Sequence, residues 1–230
     1  MQPKRRACKI IYGISGNFTP LRGARITIAQ APAGTGGARE ERLKGEQDTQ
    51  LRLQKTIVLV GMMGAGKTAV GTALARALAV PFQDSDEEIV RAAQMSVAEI
   101  FERDGETFFR ARESEVIERL LTGAPAVVST GGGAFMSEAN REMIARLGVS
   151  CWLKADLDLL WSRVKGKNTR PLLRTADPRA TLAGLIAKRY PIYGRAQVTV
   201  ESEAGLSVDA MAQKVIAALK AYPDLFAEDP

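Results

Sequence analysis

The segment Gly61-Met62-Met63-Gly64-Ala65-Gly66-Lys67-Thr68 constrains this chain more than any other part of it. It matches G-x-x-x-x-G-K-[ST] at every fixed position, and its flanks fit the same motif. Before it, Ile57-Val58-Leu59-Val60 is a β-branched run of the kind buried on both faces of a sheet. After it, Lys67 to Ala79 is rich in Ala and Leu and stops before Pro81, which predicts a helix. Glycines let the backbone curl so that consecutive N–H groups converge on phosphate oxygens. The helix N-terminus adds positive potential at the same place. Gly64, Ala65, Gly66, Lys67, Thr68 and Ala69 are therefore candidate ATP contacts. Lys67 would lie between the β- and γ-phosphates, and the Thr68 hydroxyl would ligate Mg²⁺. The motif predicts nucleotide binding and leaves the reaction open.

Downstream of the loop the chain continues to alternate strands with helices. Ser96-Val97-Ala98-Glu99 reads as a capping box opening a short helix, Gly105 can end it, and a second amphipathic stretch runs from Glu106 to Leu121. Strands are expected at Ala126–Val128 and Val149–Leu153, with helices from Ser137 and over Asp156–Lys165. Val208, Met211, Ala212, Val215, Ile216 and Leu219 recur at helical spacing and predict the inward face of a last helix. Such alternation calls for a parallel sheet with helices on both faces.

Composition narrows the chemistry. The chain has no histidine, so any acid–base or metal chemistry must use carboxylates, Lys, Arg, hydroxyls or a bound cation. No stretch approaches the roughly 18–20 apolar residues a membrane helix needs. Cys151 lies in an apolar run and reads as a buried free thiol; neither a disulfide framework nor a zinc spacing is visible, which fits a reducing cytosol. The net charge of +6 is concentrated at the start: residues 1–55 hold eleven Lys/Arg against four acids, and the rest is nearly balanced. The high pI thus belongs to an extension over 1–50, expected to be a disordered basic arm, an unused upstream start being the alternative. It implies no nucleic-acid-binding core.

Five further clusters carry chemistry, each with a plainer alternative. Asp84-Ser85-Asp86 places two carboxylates at a strand end, where ligands of parallel sheets bind; extended chain would aim both to one side. Asp86-Glu87-Glu88 equally suits an acidic helix N-terminus. Phe109-Arg110-Ala111-Arg112-Glu113 sets two guanidiniums and an acid on a helix, for surface pairing or for a carboxylate ligand. Gly131-Gly132-Gly133 is either a tight turn or an exposed row of N–H donors. The basic segment from Lys165 to Leu173 is a solvated loop or a mobile lid carrying Arg170 to the phosphates, and Lys188-Arg189 end a helix toward water or inward.

Together, in order and spacing from Lys55 to Val200, these residues resemble shikimate kinase, a nucleoside-monophosphate-kinase-like P-loop family. The resemblance implies a three-layer α/β fold with a central five-stranded parallel sheet, helices on both faces and a mobile lid at 165–179. It also implies transfer of the ATP γ-phosphoryl to the 3-hydroxyl of shikimate, in the cytoplasm, by a monomer with no nucleic-acid or membrane partner. By the same resemblance Asp86 binds the acceptor hydroxyls and receives the proton. Arg110, Arg189 and the Gly131–Gly133 run grip the carboxylate, and Glu113 orients Arg110. Thr68 and Asp84 support Mg²⁺, and Arg163 and Arg170 act on ATP. Residues 51–222 form the kinase domain and 223–230 a tail. The alternatives are another small-molecule kinase, such as a gluconate kinase, and a non-catalytic shikimate-binding sensor. A GTPase switch is disfavoured because no Asn-Lys-x-Asp motif is present.

Overall fold

The computed structural model describes residues 51–166 and 171–228. The basic extension, residues 167–170 of the basic loop (Arg170 among them) and the last two residues lie outside the described part.

The described chain begins with β1 (Leu51–Leu53) and turns into β2 (Thr56–Val60), buried at all five positions. The glycine loop leads to α1 (Lys67–Ala77), then β3 (Phe82–Asp84) and α2 (Ser85–Ala93). α3 (Val97–Leu121) opens with the expected capping box: the Ser96 hydroxyl accepts from the Glu99 N–H at 3.2 Å, and the Glu99 carboxylate accepts from the Ser96 N–H at 2.8 Å. It is broken at Gly105, whose φ of 82° and ψ of 170° interrupt the helix as the sequence predicts. A Cβ there would touch nothing within 4 Å, so backbone conformation alone asks for glycine.

β4 (Val127–Ser129) leads through the triple glycine and a 3-10 turn (Ala134–Met136) to α4 (Glu138–Leu147) and β5 (Gly148–Lys154). α5 (Leu157–Val164), α6 (Pro178–Tyr193), β6 (Val198–Glu201), α7 (Val208–Lys220) and β7 (Phe226–Glu228) complete the described chain. α6 runs on through Pro191, which cannot donate to the preceding turn. The Gly194 N–H closes the helix instead on the Tyr190 carbonyl, at 2.8 Å.

The five-stranded parallel sheet has the order β3-β4-β2-β5-β6. β2 is central because it is apolar on both faces: Ile57, Val58 and Leu59 are fully buried. Each such side chain contributes about 1.5–3 kcal/mol of burial. α1 packs against α7, and α4 against β5 and α3, so helices flank the sheet as expected. From β2 the chain crosses to β3 and β4 on one side and then to β5 and β6 on the other. The loops after β2, β3 and β4 therefore meet at the edge where a parallel sheet receives its ligands.

A second, two-stranded antiparallel sheet was not announced by periodicity. β7 pairs with β1, Leu225 is fully buried, and its carbonyl accepts from the Gln54 N–H at 2.9 Å. This ladder fastens Phe226–Glu228 to Leu51–Leu53.

Candidate active site

A cleft of about 1460 Å³ opens at that edge, with the glycine loop at one end and the triple glycine at the other. At the loop, Gly64 has φ +84°, and a Cβ on it would lie 2.8 Å from Val164 Cγ1, so both backbone and space exclude a side chain. Gly66 is the N-cap of α1 and offers no capping side chain, which leaves the first N–H groups of the helix to a ligand. Lys67 folds back over its own loop, its Nζ donating to the carbonyls of Gly61 at 2.9 Å and Met62 at 3.2 Å. Lys67, Thr68 and Ala69 all line the cleft. Arg163 approaches the loop from α5: its Nη1 donates to the Gly64 carbonyl at 3.2 Å, and its Nη1 and Nη2 each to Ser202 Oγ at 3.4 Å.

The acidic pair arrives by a different geometry from extended alternation. Asp84 ends β3 and caps α2, its Oδ1 accepting from the Asp86 N–H at 3.0 Å, and Asp86 stands in the first helical turn. The helix-terminus reading thus describes the local geometry, and both carboxylates also line the cleft. The residue between them, Ser85, is fully buried, and its Oγ accepts from the Gly131 N–H at 3.4 Å.

The triple glycine is crowded. A Cβ on Gly131 would lie 2.8 Å from Asp86 Oδ1 and 3.2 Å from Glu113 Oε1; one on Gly132 would lie 2.9 Å from Arg189 Nη1. On Gly133 it would fall 2.5 to 2.7 Å from the guanidinium of Arg110. Gly131 makes room for Asp86 and Glu113, Gly132 for Arg189 and Gly133 for Arg110, so the run brings all four to one place. Its three carbonyls are all occupied: Ala134 N–H donates to Gly131 at 3.1 Å, the Tyr193 hydroxyl to Gly132 at 2.6 Å, and Met136 N–H to Gly133 at 3.0 Å. The N–H groups of Gly132 and Gly133 have no acceptor among the described residues, so the run presents donors to an anion.

Arg110 is held by Glu113, 2.7 Å from Nη1 to Oε2, and lies over the rings of Phe109 and Phe101 at 5.2 and 6.0 Å from their centroids. Glu113 is almost wholly buried. Burial pushes its carboxyl above the usual range, the adjacent Arg110 guanidinium draws it back, and the Asp86 carboxylate adds to the rise. Burial works against the charge on Arg110, but Glu113 and Glu106 outweigh it and hold the group protonated. Tyr193 is fully buried, and burial raises its phenol while Arg189 beside it opposes the rise.

The family model described as Shikimate kinase matches residues 63–220. The chain belongs to the shikimate kinase family. A shikimate kinase of Ruegeria pomeroyi is 64% identical over 173 residues, covering 75% of this chain and 89% of that one. One from Cereibacter sphaeroides is 62% identical over 178 residues, covering 77% and 89%. Among solved structures, a shikimate kinase from Acinetobacter baumannii in complex with shikimate is 38% identical, covers 72% of this chain and 93% of its own, and superposes with a TM-score of 0.68.

For a shikimate kinase the donor end holds residues that the sequence did not mark as a site. Ser202, Leu206, Ser207, Val208 and Met211 line the cleft beside Arg163. Helical spacing puts Val208 on the inward face of the last helix, but it is 45% exposed and faces the cleft. Its position just inside the Ser207 cap was the available signal: a first-turn residue is not yet shielded by the sheet. Met211, Ala212, Val215, Ile216 and Leu219 are buried as expected. Cys151 is buried too, and burial pushes its thiol up to about 12.

Among the described residues no cluster of three or more Asp, Glu, Cys or His could cage a metal ion. The donors present suit a hydrated, phosphate-bound Mg²⁺, which takes only one or two protein oxygens. The Thr68 hydroxyl lines the cleft, and Asp84 spends only Oδ1 on its helix cap.

Proposed function

We propose that this chain transfers the γ-phosphoryl of ATP to the 3-hydroxyl of shikimate, as a cytoplasmic monomer. The observation that carries the reading is the triple-glycine end: two guanidiniums and two carboxylates gathered on one glycine run suit a small acid bearing hydroxyls. In the neighbouring Acinetobacter baumannii enzyme the bound molecule is shikimate. No helix among the described residues is long and apolar enough to cross a membrane.

The loop N–H groups and Lys67 bind the phosphates, Lys67 leaving its own loop carbonyls as it does so. Arg163 fixes the loop against the strand end that carries Ser202. Thr68 and Asp84 Oδ2 would hold Mg²⁺, which supplies charge neutralisation at the β- and γ-phosphate oxygens. At the other end Arg110, Arg189 and the N–H groups of Gly132 and Gly133 grip the carboxylate, fixing the ring. Glu113 sets the plane of Arg110. Asp86 accepts a hydrogen bond from the attacking hydroxyl and takes its proton as the phosphoryl moves across. Positioning and charge stabilisation supply most of the acceleration. Arg170, outside the described residues, is assigned from sequence to the transferring phosphate.

The deciding experiment measures ADP release with Mg²⁺-ATP and shikimate, with gluconate and no acceptor as controls. Stimulation by shikimate alone is expected. Stimulation by gluconate instead would move the substrate, and shikimate binding without turnover would make the chain a sensor.

A further inference from the structure

The guanidinium of Arg110 is held on two sides, and unequally. Nη1 is committed to the buried Glu113 at 2.7 Å. The opposite edge, Nε and Nη2, is the one left over from Glu113 that can grip a carboxylate with two parallel hydrogen bonds. In this structure both of those atoms turn to a single oxygen, Oε1 of Glu106, at the long distances of 3.4 and 3.3 Å. Glu106 and an incoming acceptor carboxylate therefore claim the same edge of the same side chain.

Every feature of Glu106 makes it displaceable. Its side chain is 68% exposed, so its return to water costs little, and an ion pair of this kind contributes about 0–1 kcal/mol. It offers one oxygen where a docked carboxylate offers two. It directly follows the break at Gly105, where the helix gives up its regular φ/ψ. Yet it lines the cleft, four residues before Arg110 on the same helical face, where the first turn after the break favours an anion. The other charged groups at this end are Glu102 at the cleft wall, Arg189, Asp86 and Glu113.

We infer that Glu106 is an internal competitor: it occupies the carboxylate-recognition edge of Arg110 in the free protein, yields to the acceptor, and so sets the acceptor KM. This rests on Arg110 being the carboxylate anchor of the proposed reaction. A residue that merely kept Arg110 extended would act in the opposite sense, because its loss would weaken acceptor binding.

The test is steady-state kinetics on the full chain with Mg²⁺-ATP, comparing wild type, Glu106→Gln and Glu102→Gln. Glu106→Gln is expected to lower the shikimate KM by about two- to fivefold, the range an exposed pair allows. The ATP KM should stay put, and kcat should move less than the shikimate KM. The methyl ester of shikimate, run as a neutral competitive probe, should bind Glu106→Gln no more tightly than wild type. An unchanged or raised shikimate KM overturns the inference. So does an equal fall in Glu102→Gln, which would assign the effect to the general field of the cleft. Wild type that is not stimulated by shikimate at all would sink the proposed function and this inference with it. Stimulated wild type with an unimproved Glu106→Gln would sink the inference alone.

Discussion

The two ends of the cleft are built on opposite plans. The phosphate loop of the donor end is written in one stretch, residues 61–69, and works through the backbone, with glycine conformations and N–H groups at the start of α1; only its wall, at Arg163, Ser202 and Val208, is supplied from elsewhere. The acceptor end is collected from α2, α3, the loop after β4 and α6, and works through side chains that meet on three glycines. A local site survives as long as its own turn forms. A collected site depends on every element that delivers a group, so a small shift in any of them is felt at the substrate carboxylate and hydroxyls.

The largest effect expected from breaking this contrast comes from Asp86→Asn, which touches only the acceptor side. Turnover should fall by roughly 10²–10⁴, the scale of a lost general base, while ATP affinity measured by nucleotide titration barely changes. Turnover close to wild type would remove Asp86 from the chemistry.

A pair of glycine substitutions sharpens the same contrast at intermediate size. Gly64→Ala sets a methyl 2.8 Å from Val164 at a left-handed φ, and should raise the ATP KM. Gly133→Ala pushes the guanidinium of Arg110 aside and should raise the shikimate KM. Overpacking of this kind costs about 1–3 kcal/mol, so a rise of about tenfold or more is expected in each, confined to its own substrate. Parallel rises in both KM values for either variant would mean the two ends are not separable.

The smallest effect belongs to Tyr193→Phe, which removes only the hydroxyl that holds the Gly132 carbonyl at 2.6 Å. One hydrogen bond is worth about 1 kcal/mol, so the shikimate KM should rise about fivefold with ATP unaffected. An unchanged shikimate KM would show that the glycine run keeps its orientation without the tyrosine.

Legibility followed the same division. The loop, its strand and its helix were readable because consecutive residues specify them: Ile57–Val60 by apolar continuity, Lys67–Ala77 by helix formers and a proline stop. The capping box at Ser96 and the break at Gly105 were readable for the same local reason. Asp84 and Asp86 were found as residues with two geometries left open, extended chain or helix N-terminus, because which one follows a three-residue strand depends on what α2 packs against. Val208 was misplaced because periodicity reports a face and not where the shielding of that face ends. The β1–β7 ladder was invisible, since three-residue strands far apart in sequence carry no period of their own.

The sequence by itself determined the phosphate loop, the alternation that demands a parallel sheet, the absence of histidine chemistry and the roster of charged residues, because each is set by neighbours within a few positions. Only the tertiary structure decided that Asp86, Glu113, Arg189 and Arg110 converge on three consecutive glycines. It also decided that the donor wall includes Ser202 and Val208, and that Arg110 meets Glu113 at full strength and Glu106 at arm's length. Those relations are distances between separate elements, fixed by how helices seat on the sheet, and no local pattern of residues encodes them.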